Sequence, residues 1–503
     1  MDIYDDYDPF AFDDDDSPEN EKEGREDRRR YFEEELTRYK EDKRFEPDPK
    51  PRAFLNPEIL EELVDYCIEN EKFEEALHYS KLLTEHAPFS SQAWSRRGML
   101  EAHHGEYEDA MVSYEKGLAL DPVDADLLMS YGVVLEALGK TEDALSVFDR
   151  ALNIEPDNDE ALYSKAVCLE KADRYREAIS IFQYLIGKEE YQKDALYELG
   201  FCYDSLEDHE RAVSSYEAHL DLDPYNQNCW YNLGIVYNRM GMFHKAISCY
   251  EMALAIKEAF PSAWYNRGNA YANLGKLNEA IESYKECLKH DAEDVSAWHN
   301  LGNAYEELHR WRDAVRCFTQ AIKYNPKHSE SYFGRGSCYD ALDHPRKALE
   351  DYDAALAINN KNSELWYAKA DALYNLGRRD EALLAYKMVL ELSPTDFEAW
   401  FDYGDTLFDL REFTEAAAAF EQSAQLEPEW ADAHYNRAKA LFANGASLES
   451  AVELLVAFKL DPAKRTTFET EFPSLTSDIA FQEVERIVGE EKEETEPDSN
   501  NKQ

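Results

Sequence analysis

The chain has 503 residues and a formal charge of −52, from 54 basic against 106 acidic side chains. A field of that sign repels nucleic-acid phosphates and anionic lipid, so the expected partners include no nucleic acid and no membrane, and basic partners are favoured. There is no run of about 18 apolar residues to span a membrane, and the opening Met-Asp-Ile-Tyr-Asp-Asp lacks the basic and apolar regions of a secretory signal.

Residues 1–24 carry −10 and are expected to form an acidic disordered tail, with Tyr4, Tyr7, Phe10 and Phe12 set among aspartates. Residues 25–56 are nearly balanced, and Arg28–Arg30 is followed at once by Glu33–Glu35, so it is no nucleic-acid patch. Phe32, Leu36 and Tyr39 lie at helical spacing and predict a charged helix resting on the next element. Pro47, Pro49, Pro51 and Pro57 make a stiff connector.

From 57 to 464 the chain keeps one rhythm. Around the clearest unit it reads Trp298-His-Asn-Leu301-Gly302-Asn-Ala-Tyr305, then Ala314-Val-Arg-Cys-Phe318, then Pro326. A step of 34 residues returns Trp94, Trp230, Trp264, Trp366 and Trp400 in the first slot. The glycine slot is filled by Gly98, Gly132, Gly200, Gly234, Gly268, Gly302, Gly336 and Gly404, with alanine in three more units and Val64 in the first. A second small slot holds alanine from Ala76 to Ala416, then Ser450. Pro88, Pro122, Pro156, Pro224, Pro326, Pro394, Pro428 and Pro462 close units, since proline cannot continue the helix just ended. The unit at 159–192 lacks that proline and carries Gly187-Lys-Glu-Glu, which predicts an irregular exit.

This pattern resembles the tetratricopeptide repeat, a helix–turn–helix unit that cannot bury its apolar faces alone and must stack on its neighbours. Twelve such repeats account for 57–464. The resemblance implies an all-α fold, a right-handed α-α superhelical solenoid of tandem repeats. The small slots are expected where two helix backbones approach. After the array, residues 465–488 are expected to cap its end, with Leu475, Ile479, Val484, Ile487 and Val488 near one helical face, and 489–503 to be a second acidic disordered tail.

Nothing in the sequence calls for catalysis, a cofactor or a metal. Gly132 and Gly139 have six residues between them where a phosphate-binding loop has four, and the thirteen histidines show no His-Glu-x-x-His. None of the eight cysteines forms Cys-x-x-Cys, so they read as buried thiols of a reducing compartment, by default the cytoplasm. The array is also similar to the one attached to O-linked N-acetylglucosamine transferase, but the 39 residues after Lys464 leave no space for a catalytic domain.

The resemblance places first helices on an inner face where peptides lie. The residues after the Trp slot would form it: Tyr197, Tyr231, Tyr265, His299, Tyr367 and Phe401, with the amides Asn232, Asn266, Asn269, Asn300 and Asn303. An amide offers donor and acceptor together, which suits an extended backbone. Asn300→Ala is accordingly expected to weaken a peptide and leave stability alone. Asp371, Asp402 and Asp405 turn the later repeats acidic and favour Lys- or Arg-bearing segments. The resulting expectation is a non-catalytic scaffold for a basic or extended peptide. The alternatives are a self-assembling structural array, whose acidic surface keeps an open stack soluble, and a glycosyltransferase remnant. Partner identity and oligomeric state are not written in the sequence.

Overall fold

The computed structural model describes residues 29–37 and 56–471. The acidic segments at 1–24 and 489–503, the connector prolines before Pro57 and the cap expected at 475–488 lie outside the described residues. Among the described residues every regular element is a helix. Twelve pairs of helices, from Pro57–Glu69 with Phe73–His86 to Ala431–Ala443 with Ser447–Leu460, follow the 34-residue register. The architecture is an all-α repeat solenoid.

The chain divides into two compact units, Met1–Met240 and Gly241–Gln503. Within each, a second helix packs on its own first helix and on the first helix of the next repeat. First helices of successive repeats also touch one another, so they form the closely spaced layer of the stack.

Each slot has a physical cause. Ala76, Ala110, Ala144, Ala178, Ala212, Ala280, Ala314, Ala348, Ala382 and Ala416 are fully buried between helices. The glycine slot has a different reason from the one expected. A Cβ at Gly302 would sit 2.6 Å from the Phe318 ring, and one at Gly200 would sit 2.5 Å from the Tyr216 ring. The aromatic of the second helix lies flat on the glycine, so a ring and not a backbone demands the small residue. The tryptophans act as staples: the indole N–H of Trp298 donates to Ala292 O, and that of Trp400 to Pro394 O, each at 2.9 Å. The same bond, six residues back, fastens Trp94, Trp230, Trp264 and Trp366 to the turn entering their own repeat.

Most first helices start on a short polar side chain that caps them. Asp294 accepts from the Ala297 N–H at 2.9 Å and Asn226 from the Cys229 N–H at 3.0 Å, contacts worth about 1 kcal/mol each. First helices stop at a left-handed residue. Gly139 has φ 72°, with Lys140 N–H donating back to Leu135 O and Gly139 N–H to Glu136 O, both at 2.9 Å. That is a Schellman ending. The same turn position is left-handed at Glu71, Asp173, Glu207, His309, Asp343 and Arg411, which are not glycine.

The repeat at 159–192 does leave irregularly: its second helix, Tyr175–Leu185, has 11 residues where its counterparts have 14, and turns fill the gap to Gln192. At the front, the helix at 29–37 buries Phe32 and Leu36 against Ile59, Leu60 and Leu63 of the first repeat, and Tyr66 donates to Glu33 at 3.3 Å. At the back, Ala463–Glu471 buries Phe468 against Tyr435, Ala438 and Leu454. Phe468 lies 34 residues after His434, in the slot that tryptophan holds elsewhere.

Candidate functional site: the first-helix face

The face is a lattice of hydrogen bonds between neighbouring first helices. Partners are one repeat plus one residue apart, or one repeat less three. In the first unit, Asn232 (on Gln227–Arg239) donates its amide to the Tyr197 hydroxyl (on Gln192–Ser205) at 3.0 Å, and the Tyr197 ring rests edge-on against Tyr216. Tyr231 is half-buried beside Asn232.

In the second unit the same bond recurs. Asn300 donates to the Tyr265 hydroxyl at 3.1 Å and also to Asn269 Oδ1 at 2.9 Å, which accepts from Tyr284 as well. Asn266 is half-buried on the same helix, Pro261–Asn273. The amide nitrogen of Asn300 is therefore committed to joining repeats. This corrects the expectation that Asn300→Ala would leave stability alone, since two hydrogen bonds between helices go with that nitrogen.

His299 forms a second group. Asn303 donates to its Nε2 at 3.1 Å, which places the proton on Nδ1, facing Ser331 Oγ at 3.2 Å. Ser331 in turn contacts His328 Nδ1 at 2.8 Å. Burial, with His328 adding to it, pushes the His299 pKa down to about 4, so this imidazole is neutral near pH 7.

The third group is acidic, on Ser363–Asn375 and Phe397–Asp409. Tyr367 donates to Asp402 and Tyr386 to Asp371. Tyr374 donates to Asp405 and Asp409, both at 3.0 Å. Among the described residues no lysine or arginine pairs with Asp371, Asp402 or Asp405; Arg379 reaches Asp409 alone, at 3.2 Å. Burial foremost, then Asp371, Asp405 and Glu398 against the relief that Tyr367 brings, lifts the Asp402 carboxyl to about 6. Asp371 is raised too, by burial. Phe401 covers the end of this group, packed on Phe420 and Trp430 with centroids 5.3 and 4.6 Å away.

One group on this face escaped the sequence reading. Glu170 and Glu198, on the first helices Asp159–Lys171 and Gln192–Ser205, are both held above the usual carboxylate range, by burial first. Tyr163 donates to Glu198 at 3.3 Å, and the Cys202 thiol points to Glu170 at 3.8 Å. The signal was available, because Glu198, Asn232, Asn300 and Asp402 occupy one slot at multiples of 34. Arg96 is gripped by Asp65 at 2.9 Å and Glu61 at 2.6 Å. Among the described residues no group of three or more His, Cys, Asp or Glu is arranged to hold a metal ion.

Family models for the tetratricopeptide repeat match 62–125, 163–227, 228–260, 261–294 and, in overlapping segments, 299–463. The chain belongs to the tetratricopeptide repeat family. A model described as anaphase-promoting complex, cyclosome, subunit 3, matches 103–185. No curated protein matches the chain. Among solved structures it is similar to MamA (26% identity, 33% of this chain and 92% of that one, TM-score 0.32). It is also similar to YrrB, titled a TPR protein with an unusual peptide-binding site (21%, 39% and 97%, 0.34). A tetratricopeptide repeat protein from Parabacteroides merdae gives 19%, 53% and 98%, with TM-score 0.37. Proteins of the family generally serve as scaffolds for other proteins. No helix among the described residues is long and apolar enough to cross a membrane.

Proposed function

We propose that this protein is a scaffold whose first-helix face takes a basic, extended peptide segment, with the tenth and eleventh repeats as its cation-binding part. The observation that carries this reading is the unneutralised carboxylate set. Asp371, Asp402 and Asp405 are oriented by tyrosine hydroxyls and lie half-buried, with no cation of the described chain beside them. Phenol donors fix the direction of a carboxylate without cancelling its charge. An incoming guanidinium or ammonium gains Coulomb energy and meets aromatic walls in Tyr367 and Phe401. Along the amide part of the face, oxygens such as that of Asn300 are suited to accept peptide N–H groups.

The test is a fluorescence titration of an Arg-rich extended peptide onto the full chain. Binding should weaken steeply between low and physiological salt and drop at least tenfold in Asp402→Asn/Asp405→Asn. Salt-insensitive binding, or an affinity untouched by the double substitution, would remove the electrostatic reading.

A further inference from the structure

Between the second helices of the seventh and eighth repeats, Leu277–His290 and Trp311–Tyr324, runs an open groove of about 700 Å³. It uses Trp298, Leu301 and Tyr305 of the first helix Val295–Glu307, none of which belongs to the face described above. Leu288, Trp298 and Leu301 give it an apolar floor, and Lys285, Lys289 and Arg316 line its rim. The carboxylate in the lining, Asp313, is already held by Arg310 at 2.8 Å and Arg316 at 3.3 Å. Lys289 pairs with Glu286 on its own helix.

The rim inverts the sign found at the same place in six other repeats. The position of Lys285 is occupied by Glu115, Asp149, Glu217, Glu251, Asp353 and Glu421 in those six, and by lysine again at Lys81 and Lys387. Two of these hold a tyrosine of the next first helix: Tyr237 donates to Glu217 at 2.8 Å and Tyr271 to Glu251 at 3.4 Å. Tyr305 is the corresponding tyrosine here, and it faces Lys285, whose Nζ lies 5.6 Å from the ring centroid. Tyr305 is 5% exposed as a whole residue, lines the open groove, and also has the Arg310 guanidinium 4.5 Å from its ring centroid. A phenol in the groove lining, beside cations and over an apolar floor, lacks the carboxylate that the chain itself supplies to Tyr237 and Tyr271.

We propose that this groove docks an acidic peptide segment of a partner protein. One of its carboxylates accepts from Tyr305 beside Lys285, Lys289 and Arg316, and an adjoining aromatic or aliphatic side chain lies on Trp298 and Leu301. In a chain this acidic, the groove gives the second-helix side a ligand preference opposite to that of the first-helix face.

The probe is a fluorescein-labelled peptide Asp-Trp-Asp-Asp-Leu-Asp-Ser-Asp, titrated onto the full chain and followed by anisotropy. Saturable binding is expected, lost at least tenfold in Lys285→Glu/Lys289→Glu, and lost likewise when the peptide's aspartates are replaced by asparagine. Lys285→Glu restores the acid found in other repeats, so the variant should fold, and its circular-dichroism melt checks this. Tyr305→Phe should weaken binding severalfold without lowering the melt. Absence of saturable binding, or an affinity unchanged by the double substitution, overturns the proposal. So does a loss caused instead by Asp402→Asn, which would put the peptide on the other face.

Discussion

A turn residue such as Arg411 shows what one position can carry. It holds φ 67° where six other repeats place glycine. A left-handed conformation costs a side-chain-bearing residue about 1–2 kcal/mol, partly offset by the greater freedom glycine has when unfolded. Arg411→Gly should therefore stabilise the protein by roughly 0.5–1 kcal/mol, read as a higher denaturant midpoint at unchanged slope. Asn300→Ala should act the other way. It removes amide bonds to Tyr265 and Asn269, and two neutral hydrogen bonds at about 0.5–1.5 kcal/mol each set the expected loss at roughly 1–3 kcal/mol. An unchanged midpoint would mean the lattice contributes nothing. The sequence announced Asn300 as a polar residue on the right face, but not its bonds. Those follow a 35- or 31-residue offset, which a table kept strictly in steps of 34 does not display.

At the scale of the element, the hairpins were legible because their cause repeats: a buried alanine, a stapled tryptophan, a closing proline. The reason for the glycine slot was not, since a periodic small residue says that something is close without saying what. Phe318 lying on Gly302 is the answer, and only coordinates supply it. The fully buried Ala314 makes the packing testable. Ala314→Leu forces three more carbons into a filled contact and should cost about 1–3 kcal/mol, seen as a lower midpoint with helical signal retained. The helix Ala463–Glu471 was not foreseen, although Phe468 keeps the register. An aromatic other than tryptophan, with no glycine slot after it, hides a last half-repeat that covers the end of the stack.

For the whole molecule, the charge of −52 and the buried carboxyls make stability and binding respond oppositely to acid. The Asp402 carboxyl is lifted to about 6, above the ordinary unfolded value near 4. Its favourable contribution is then fully present below the unfolded pKa and is lost as pH rises through about 6. Lowering pH from 7 toward 5 should raise the thermal midpoint, and Asp402→Asn should flatten that part of the curve. Affinity for a basic peptide should fall over the same interval, because the proton takes the charge the peptide needs. A melt and a titration in the same buffers check both signs. The charge of the first-helix face could be read from the sequence; the groove at Lys285 was harder to see, because Lys285 stands where six other repeats carry an acid.

The indole staples reach back only six residues, and the lattice bonds little more than one repeat. Among the described residues no contact of that kind ties distant parts of the sequence together, so each hairpin leans on its immediate neighbours. Pulled by its two ends in an optical trap, such a chain should come undone in succession, releasing about 34 residues of slack at each step, and should rewind quickly once the load is relaxed.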